Sequence, residues 1–291
     1  MAPEPSHSRV ADLIILTKLR VNALVVATTA GGFYLATTGP LDIWRLVLAC
    51  AGTALVASGA AAFNQVHERD TDRLMARTRH RPVAGGRMGV GEGHAIALAL
   101  AVAGLAVLGF GTNWVAARVA LATLLSYALL YTPLKRHTSL ATVVGAVPGA
   151  LPQLIGWTAS GGTLAGPAPW SLFLLMFVWQ LPHFLAIAWM YRDDYARAGL
   201  PMLPVVDTNG AVTGRQAALW AAMLLPCSLL PFLLGVSNGT YAVGALILGA
   251  LLLVLAVSFA WHRTDANARL LFYASITYLP LLWVLLAVGR P

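Results

Sequence analysis

Apolar stretches of about 17 to 25 residues follow one another along almost the whole chain, separated by short polar turns. They fall at residues 21–38, 43–66, 93–111, 115–132, 139–158, 170–191, 216–235, 241–261 and 270–288, and predict nine membrane-crossing helices. No low-complexity tract or separate soluble domain interrupts the series, so residues 1–291 are expected to form one transmembrane domain. Glycine and proline punctuate several spans, most densely at Gly145, Pro148, Gly149 and Pro152. Broken backbone at membrane depth is tolerated where it packs on protein or lines a cavity.

The basic residues test this count. Arg9, Lys18 and Arg20 precede the first span, and Arg69, Arg73, Arg77, Arg79, Arg81 and Arg87 follow the second. Lys135 and Arg136 follow the fourth, Arg192, Arg197 and Arg215 the sixth, and Arg263 and Arg269 the eighth. The opposite loops hold only Arg45, Arg118 and Arg290. Positive charge collects on cytoplasmic loops, so the alternation predicts a cytoplasmic N-terminus and an outside C-terminus. Spans two and six then run in the same direction, and each ends in an acidic cluster. A duplicated four-helix unit would explain that, although no matching sequence accompanies it.

Composition agrees. Of 291 residues, 58% are hydrophobic and 10% charged, far fewer charges than a soluble domain carries. The net charge of +8 sits in discrete clusters that read as topology signals, which makes nucleic acid a poor partner. Cys50 and Cys227 lie inside apolar segments without metal-ligand spacing and read as small buried hydrophobes. The first twenty residues, with Asp12 and a short Leu13–Leu16 run, lack a signal-peptide core and cleavage site.

Three constellations carry candidate chemistry. At the end of span two, Asn64, Glu68 and Asp72 are spaced i, i+4, i+8. On one helix they would lie within roughly 80° of each other and stack over about 12 Å. Two carboxylates and an amide so aligned suit a hard divalent cation and, through it, a phosphate-bearing ligand. Arg77, Arg79 and Arg81 come next in the chain, as guanidinium forks for phosphate. An ordinary basic loop accounts for the arginines, but not for three aligned polar residues that begin inside an apolar helix. Asp70 points elsewhere and is expected to be solvated.

The second constellation is Trp179-Gln180-Leu181-Pro182-His183-Phe184, continuing to Tyr191-Arg192-Asp193-Asp194-Tyr195. His183 sits mid-span, where it either bonds a neighbouring helix or faces a ligand. On a continuous helix His183 and Asp194 would be about 20° out of phase, a polar stripe running to the acidic cluster, unless Pro182 kinks it. The third is Tyr131-Thr132-Pro133-Leu134-Lys135-Arg136. A snorkelling basic anchor rivals a diphosphate contact there, and Lys18 and Arg20 carry the same two readings.

These residues resemble the UbiA superfamily of intramembrane prenyltransferases. Asn64-x3-Glu68-x3-Asp72 matches the first acidic motif of that superfamily. The longer run through Arg77-Thr78 and Arg81-Pro82 is similar to the branch of the superfamily that farnesylates haem. So are Tyr131-Thr132, Leu134-Lys135-Arg136, Trp179-Gln180-x-Pro182-His183-Phe184 and Asp194-Tyr195-x3-Gly199-x-Pro201-Met202-Leu203-Pro204. There are departures. The second motif is commonly D-x3-D, whereas here Tyr191 and Tyr195 bracket Asp193-Asp194. Ala141 and Pro152-Gln153 replace an asparagine and paired prolines, and Leu19 stands where a proline is frequent.

The resemblance implies an all-α polytopic membrane protein, nine helices bundled around a central lipid-accessible cavity. It implies farnesyl diphosphate bound through Mg²⁺ to Asn64, Glu68, Asp72 and one of Asp193 and Asp194, with Asp194 favoured. Arg77, Arg81, Lys135 and Arg136 would take phosphate oxygens, with Lys18, Arg20, Tyr131 and Tyr195 nearby. Haem b would be the acceptor, with His183 as iron ligand or propionate donor. The setting implied is a prokaryotic plasma or inner membrane, with the site on the cytoplasmic side and a haem A synthase or oxidase-assembly partner downstream. A prenyltransferase for an aromatic or quinone precursor is the sibling reading. A secondary transporter and a structural haem-carrying subunit are readings of other classes.

Overall fold

The computed structural model describes residues 8–290; the first seven of the twenty opening residues lie outside it. Among the described residues every regular element is helical. Helix α1 (Arg9–Thr17) precedes α2 (Leu19–Ala36) and α3 (Ile43–His67), and a short α4 (Arg69–Leu74) comes next. After a loop come α5 (Val90–Gly111) and α6 (Trp114–Leu125). A π-helical segment, Ser126–Tyr131, and α7 (Thr132–Leu134) continue α6 without a break. Beyond them lie α8 (Ala141–Gly149), α9 (Pro152–Ala159), α10 (Pro167–Met190), α11 (Arg192–Arg197) and α12 (Leu203–Val206). The chain closes with α13 (Ala211–Leu233), α14 (Gly239–Trp261) and α15 (Asp265–Val288).

Eight of these helices, counting α6 to α7 as one, are long and apolar enough to cross a membrane. They coincide with eight of the nine predicted spans, and the chain is an integral membrane protein. The ninth differs in form: it is not one continuous helix. Residues 139–158 form two short helices, α8 and α9, parted at Ala150 and Leu151. The cause is local: Pro152 cannot donate a helical hydrogen bond, and Pro148 has already weakened the turn before it. Gln153 recovers part of the loss by donating to the Ala150 and Leu172 carbonyls at 2.5 and 3.2 Å.

Many lipid-facing positions are apolar and exposed, Trp44, Phe110, Leu129, Val254 and Trp261 among them, as a bilayer requires. Inside, small residues let the helices close up. The contact of α2 with α9 is the tightest case. A Cβ at Gly156 would overlap the Thr29 carbonyl oxygen and crowd the Phe33 amide, and one at Gly32 would meet the Gln153 carbonyl. Thr29 Oγ1 also donates to the Pro152 carbonyl at 3.0 Å, which fixes the break against α2.

That packing yields a stability prediction. Gly156→Ala must push backbone against backbone and should cost about 1–3 kcal/mol. Gly39→Ala, with open space around the added carbon, should change stability by less than about 0.5 kcal/mol. Thermal unfolding of the two variants in one detergent would compare them, and equal midpoints would refute the packing argument.

Candidate active site

The first acidic motif leaves the membrane in two pieces. Helix α3 stops at His67, and Glu68 (φ −91°, ψ 6°) turns the chain into α4. One continuous helix carrying Asn64, Glu68 and Asp72 is therefore corrected. The stacking survives the bend, because the Glu68 amide donates to the Asn64 carbonyl at 2.9 Å and the Asp72 amide to the Glu68 carbonyl at 2.7 Å. All three side chains are buried, Asp72 completely.

Each takes a basic partner from elsewhere in the chain. Lys18 Nζ donates to Asn64 Oδ1 at 3.1 Å, and Lys135 Nζ to Glu68 Oε1 at 3.2 Å. Arg81 Nη1 reaches both Asp72 oxygens, at 2.9 and 2.7 Å. The charges are in close balance. Burial depresses the Lys18 ammonium to about 7, and the nearby Arg81 adds to the effect. Burial also opposes ionisation of Glu68, but Lys135 and Lys18 outweigh it and lower its pKa. For Asp72 burial prevails, and its pKa is raised in spite of Arg81. Burial opposes the Lys135 charge as well, yet Tyr131 and Glu68 hold its pKa above the usual value.

The second motif meets the first at this end of the bundle. Helix α10 runs unbroken through Pro182 to Met190, and the chain restarts as α11 after Tyr191. The expected polar stripe from His183 to Asp194 along one helix is thus corrected, because the helix ends between them. Asp194 is buried, accepts from Arg197, and accepts from the Ala76 amide at 3.3 Å, four residues beyond Asp72. Burial works against its charge, but those donors win and lower its pKa. Asp193 points outward. Tyr195 is buried, and Lys135 Nζ lies 5.9 Å from its ring centre and 5.9 Å from that of Tyr131. One ammonium therefore ties Glu68, Tyr131 and Tyr195 together.

Other candidates stand apart. Arg77 lies over the Tyr191 ring at 5.0 Å. Arg136 caps α3 by donating to the His67 carbonyl at 2.6 Å, and with His67, Asp70 and His94 lines a separate surface cleft. Arg20 is exposed and outside the network. Asp70 is exposed beside Arg69 and Arg73, as expected.

Lys18 also marks the mouth of an apolar cavity of about 390 Å³, whose wall includes Tyr131, Gly149, Trp179, Gln180 and His183. The broken α8–α9 segment forms part of that wall, which is where irregular backbone is tolerated in a membrane. His183 is stacked between Trp179 and Phe272, each centroid 5.1 Å away. Its Nδ1 lies 2.8 Å from Ser275 Oγ, whose proton goes to the Phe272 carbonyl at 2.6 Å. Sequence reasoning missed Asn22, Tyr127 and Ser275. Only the lone Asn22 within an apolar span and the four-residue spacing of Tyr127 from Tyr131 gave any signal.

Amide and carboxylate oxygens are the donors a hard cation takes. Among the described residues no three His, Cys, Asp or Glu side chains gather closely enough to hold a metal alone. That fits Mg²⁺, which keeps several waters and binds through one or two carboxylates together with substrate phosphates.

Known proteins resemble this chain in sequence and in fold. A Protoheme IX farnesyltransferase of Solibacter usitatus is 44% identical over 289 residues, covering 96% of this chain and 99% of its own length. A Protoheme IX farnesyltransferase of Koribacter versatilis is 43% identical, covering 99% and 96%. Among solved structures, a digeranylgeranylglyceryl phosphate synthase superposes with a TM-score of 0.79 at 16% identity, over 96% of this chain and 98% of that one. A UbiA homolog from Archaeoglobus fulgidus bound to GPP and Mg²⁺ gives 0.66 at 16% identity, over 94% and 99%. The model of the UbiA prenyltransferase family matches residues 24–285. With an acidic, base-lined membrane end above an apolar cavity, and a family model spanning nearly all of its length, this chain belongs to the UbiA prenyltransferase family.

Proposed function

We propose that this chain transfers the farnesyl group of farnesyl diphosphate to a vinyl group of haem b, releasing diphosphate and giving haem O. Relatives described as protoheme IX farnesyltransferases match it almost end to end. One structural observation carries the reading furthest. Lys18 is at once a partner of the Asn64–Glu68–Asp72 cluster and a wall residue of the apolar cavity that reaches His183. A diphosphate head and a prenyl tail need that adjacency.

Asn64, Glu68, Asp72 and Asp194 are the residues that would hold Mg²⁺, with Asp193 turned away. When bound, the ion supplies charge neutralisation for the departing diphosphate. Lys18, Arg77, Arg81 and Lys135 donate to phosphate oxygens, and Tyr131 and Tyr195 hold Lys135 in place. Arg20 and Arg136 belong to the basic collar of the membrane surface. As the allylic C–O bond breaks, its electron pair leaves with the diphosphate, and fixed positive charge lowers that barrier. The cavity wall keeps water from the allylic carbon until the vinyl group attacks it. Water then adds to the new cation and loses a proton, which leaves the hydroxyethylfarnesyl side chain. In the Nδ1–H tautomer, donating to Ser275 Oγ, His183 would present the Nε2 lone pair to the haem iron.

One transmembrane domain carries this activity. Counting the broken α8–α9 pair as a ninth crossing, the alternation of basic loops supports a cytoplasmic acidic end and N-terminus and an outside C-terminus, in a prokaryotic cell membrane. Haem O then passes to a haem A synthase or oxidase-assembly partner.

Two variants test the assignment, with products read by mass. Asp72→Ala removes the carboxylate that the largely buried Arg81 contacts, and Asp72→Asn, which keeps the side-chain shape, carries the test if the alanine variant does not fold. Haem O formation should fall at least about 10²-fold with the protein still folded in detergent. Near-normal turnover would end the proposed role. His183→Ala should weaken haem b binding by at least about tenfold, with farnesyl diphosphate affinity nearly unchanged. Titrating each ligand separately decides this, and equal losses would show that His183 serves the fold.

A further inference from the structure

Helix α1 carries a buried acid that the reaction does not use. Asp12 lies in its first turn, 4% exposed. Its partner, Arg87, comes from the loop after α4, donating from Nε and Nη2 to Asp12 Oδ1 at 3.0 and 2.8 Å. Arg87 Nη2 also donates to the His80 carbonyl at 2.8 Å, beside Arg81 in the same loop. At the other end of α1, Gln65 Nε2 donates to the Ile15 and Leu16 carbonyls at 2.8 and 2.9 Å. Gln65 neighbours Asn64, so α1 is held at one end by the helix that carries Asn64 and at the other by the loop that carries Arg81.

The backbone at the C-terminal end of α1 gives a reason for this double anchoring. Lys18 has φ 49° and ψ 46° and is the only non-glycine residue at positive φ among the described residues. A side chain disfavours that left-handed geometry, which persists only where the surroundings over-determine it. Here it separates α1 from α2 and lets Nζ reach Asn64. Were α1 free, the hinge would relax and the ammonium would swing away.

We propose that the Asp12–Arg87 pair is a latch that positions the two diphosphate-binding cations, Lys18 and Arg81, relative to each other. Asp12 draws in the helix that ends at Lys18, and Arg87 draws in the loop that carries Arg81. Both are positioning residues with no substrate contact of their own. The inference rests on the proposed function, in which Lys18 and Arg81 meet the diphosphate. The pair is largely buried, with side chains 5% and 22% exposed, so neither charge finds full compensation from water when the other is removed.

The test compares two probes, farnesyl diphosphate and farnesol, by quenching of intrinsic tryptophan fluorescence in detergent. Asp12→Asn keeps the shape and removes the charge. It should weaken farnesyl diphosphate binding by about tenfold or more, because a small misplacement of fixed groups is costly, and leave farnesol binding within about twofold. Arg87→Lys keeps the charge without the fork, should fall in between, and carries the test if Asp12→Asn does not fold. A wild type that binds the diphosphate while both variants match it overturns the latch alone. Equal losses for both probes also overturn it, since a purely structural role would act on both. A wild type with no preference for the diphosphate over the alcohol overturns the functional reading and the latch together.

Discussion

Buried carboxylates at a membrane boundary must be matched by positive charge, and everything at this end of the molecule depends on that. Asp72, Glu68 and Asp194 are 0%, 4% and 7% exposed. Removing an ion from water costs on the order of several kcal/mol even after the protein relaxes. Each carboxylate is accordingly in contact with a base, Arg81, Lys135 and Arg197 in turn, while Lys18 meets the adjoining Asn64 amide. These partners come from four different stretches of chain. The charge balance therefore holds α1, α3, α4 and α7 in one constellation, and the Ala76 amide ties α11 to it through Asp194. In the proposed reaction a metal–diphosphate enters by exchange of partners. The bases turn to phosphate oxygens and the carboxylates to the cation, so the buried charge stays compensated.

A second constraint shapes the apolar side. A cavity inside a helix bundle needs somewhere for the backbone to deviate, and in lipid that place must be covered by protein. The chain meets both demands at α8–α9. A Cβ at Gly149 would overlap the Gln180 side chain, and one at Gly145 would strike the Tyr131 ring, so both helices that face the break approach it closely. Gln180 Nε2 donates to the buried Ala146 carbonyl at 3.1 Å, which also accepts from the Ala150 amide at 3.0 Å. Across the cavity the π-helical segment Ser126–Tyr131 shifts the register of α6, placing Tyr127 and Tyr131 on the wall.

Legibility in the sequence tracked the range of the interaction. Eight spans could be read directly, because hydropathy over some twenty residues is itself the property that sets a membrane helix. The break at Ala150 could be suspected from Pro148 and Pro152, but its position depends on Gln153 and on the packing of Gly156 against Thr29. The acidic triplet was visible from its four-residue spacing, which hydrogen bonding kept through the bend at Glu68. Its bases were not. Lys18 meets Asn64 across 46 residues and Lys135 meets Glu68 across 67, distances that no local pattern encodes. Neighbours were the hardest to tell apart. Lys135 turns in and Arg136 out, and Asp194 in and Asp193 out, because adjacent helical residues point about 100° apart and tertiary context picks one. Asp12 looked like a reason to doubt a signal peptide, whereas its structural meaning is its pairing with Arg87.

The asymmetry of the cavity also orders the chemistry. Lys18 is the only lysine, arginine or carboxylate side chain among its described lining residues, and its ammonium meets Asn64 of the acidic cluster. An amphiphile entering from the bilayer can satisfy both its ends in one direction only: charge toward Lys18, hydrocarbon toward Trp179 and Met176. Reversal would leave a diphosphate against apolar wall, at a cost far above any gain from the tail. The orientation is thus set by burial cost before any specific contact forms. In the proposed reaction it leaves the allylic carbon at the border between the two regions, next to the groups that would stabilise departing charge. Positioning of Lys18 consequently matters beyond its own hydrogen bond, because a displaced ammonium would shift that border and the reacting carbon with it.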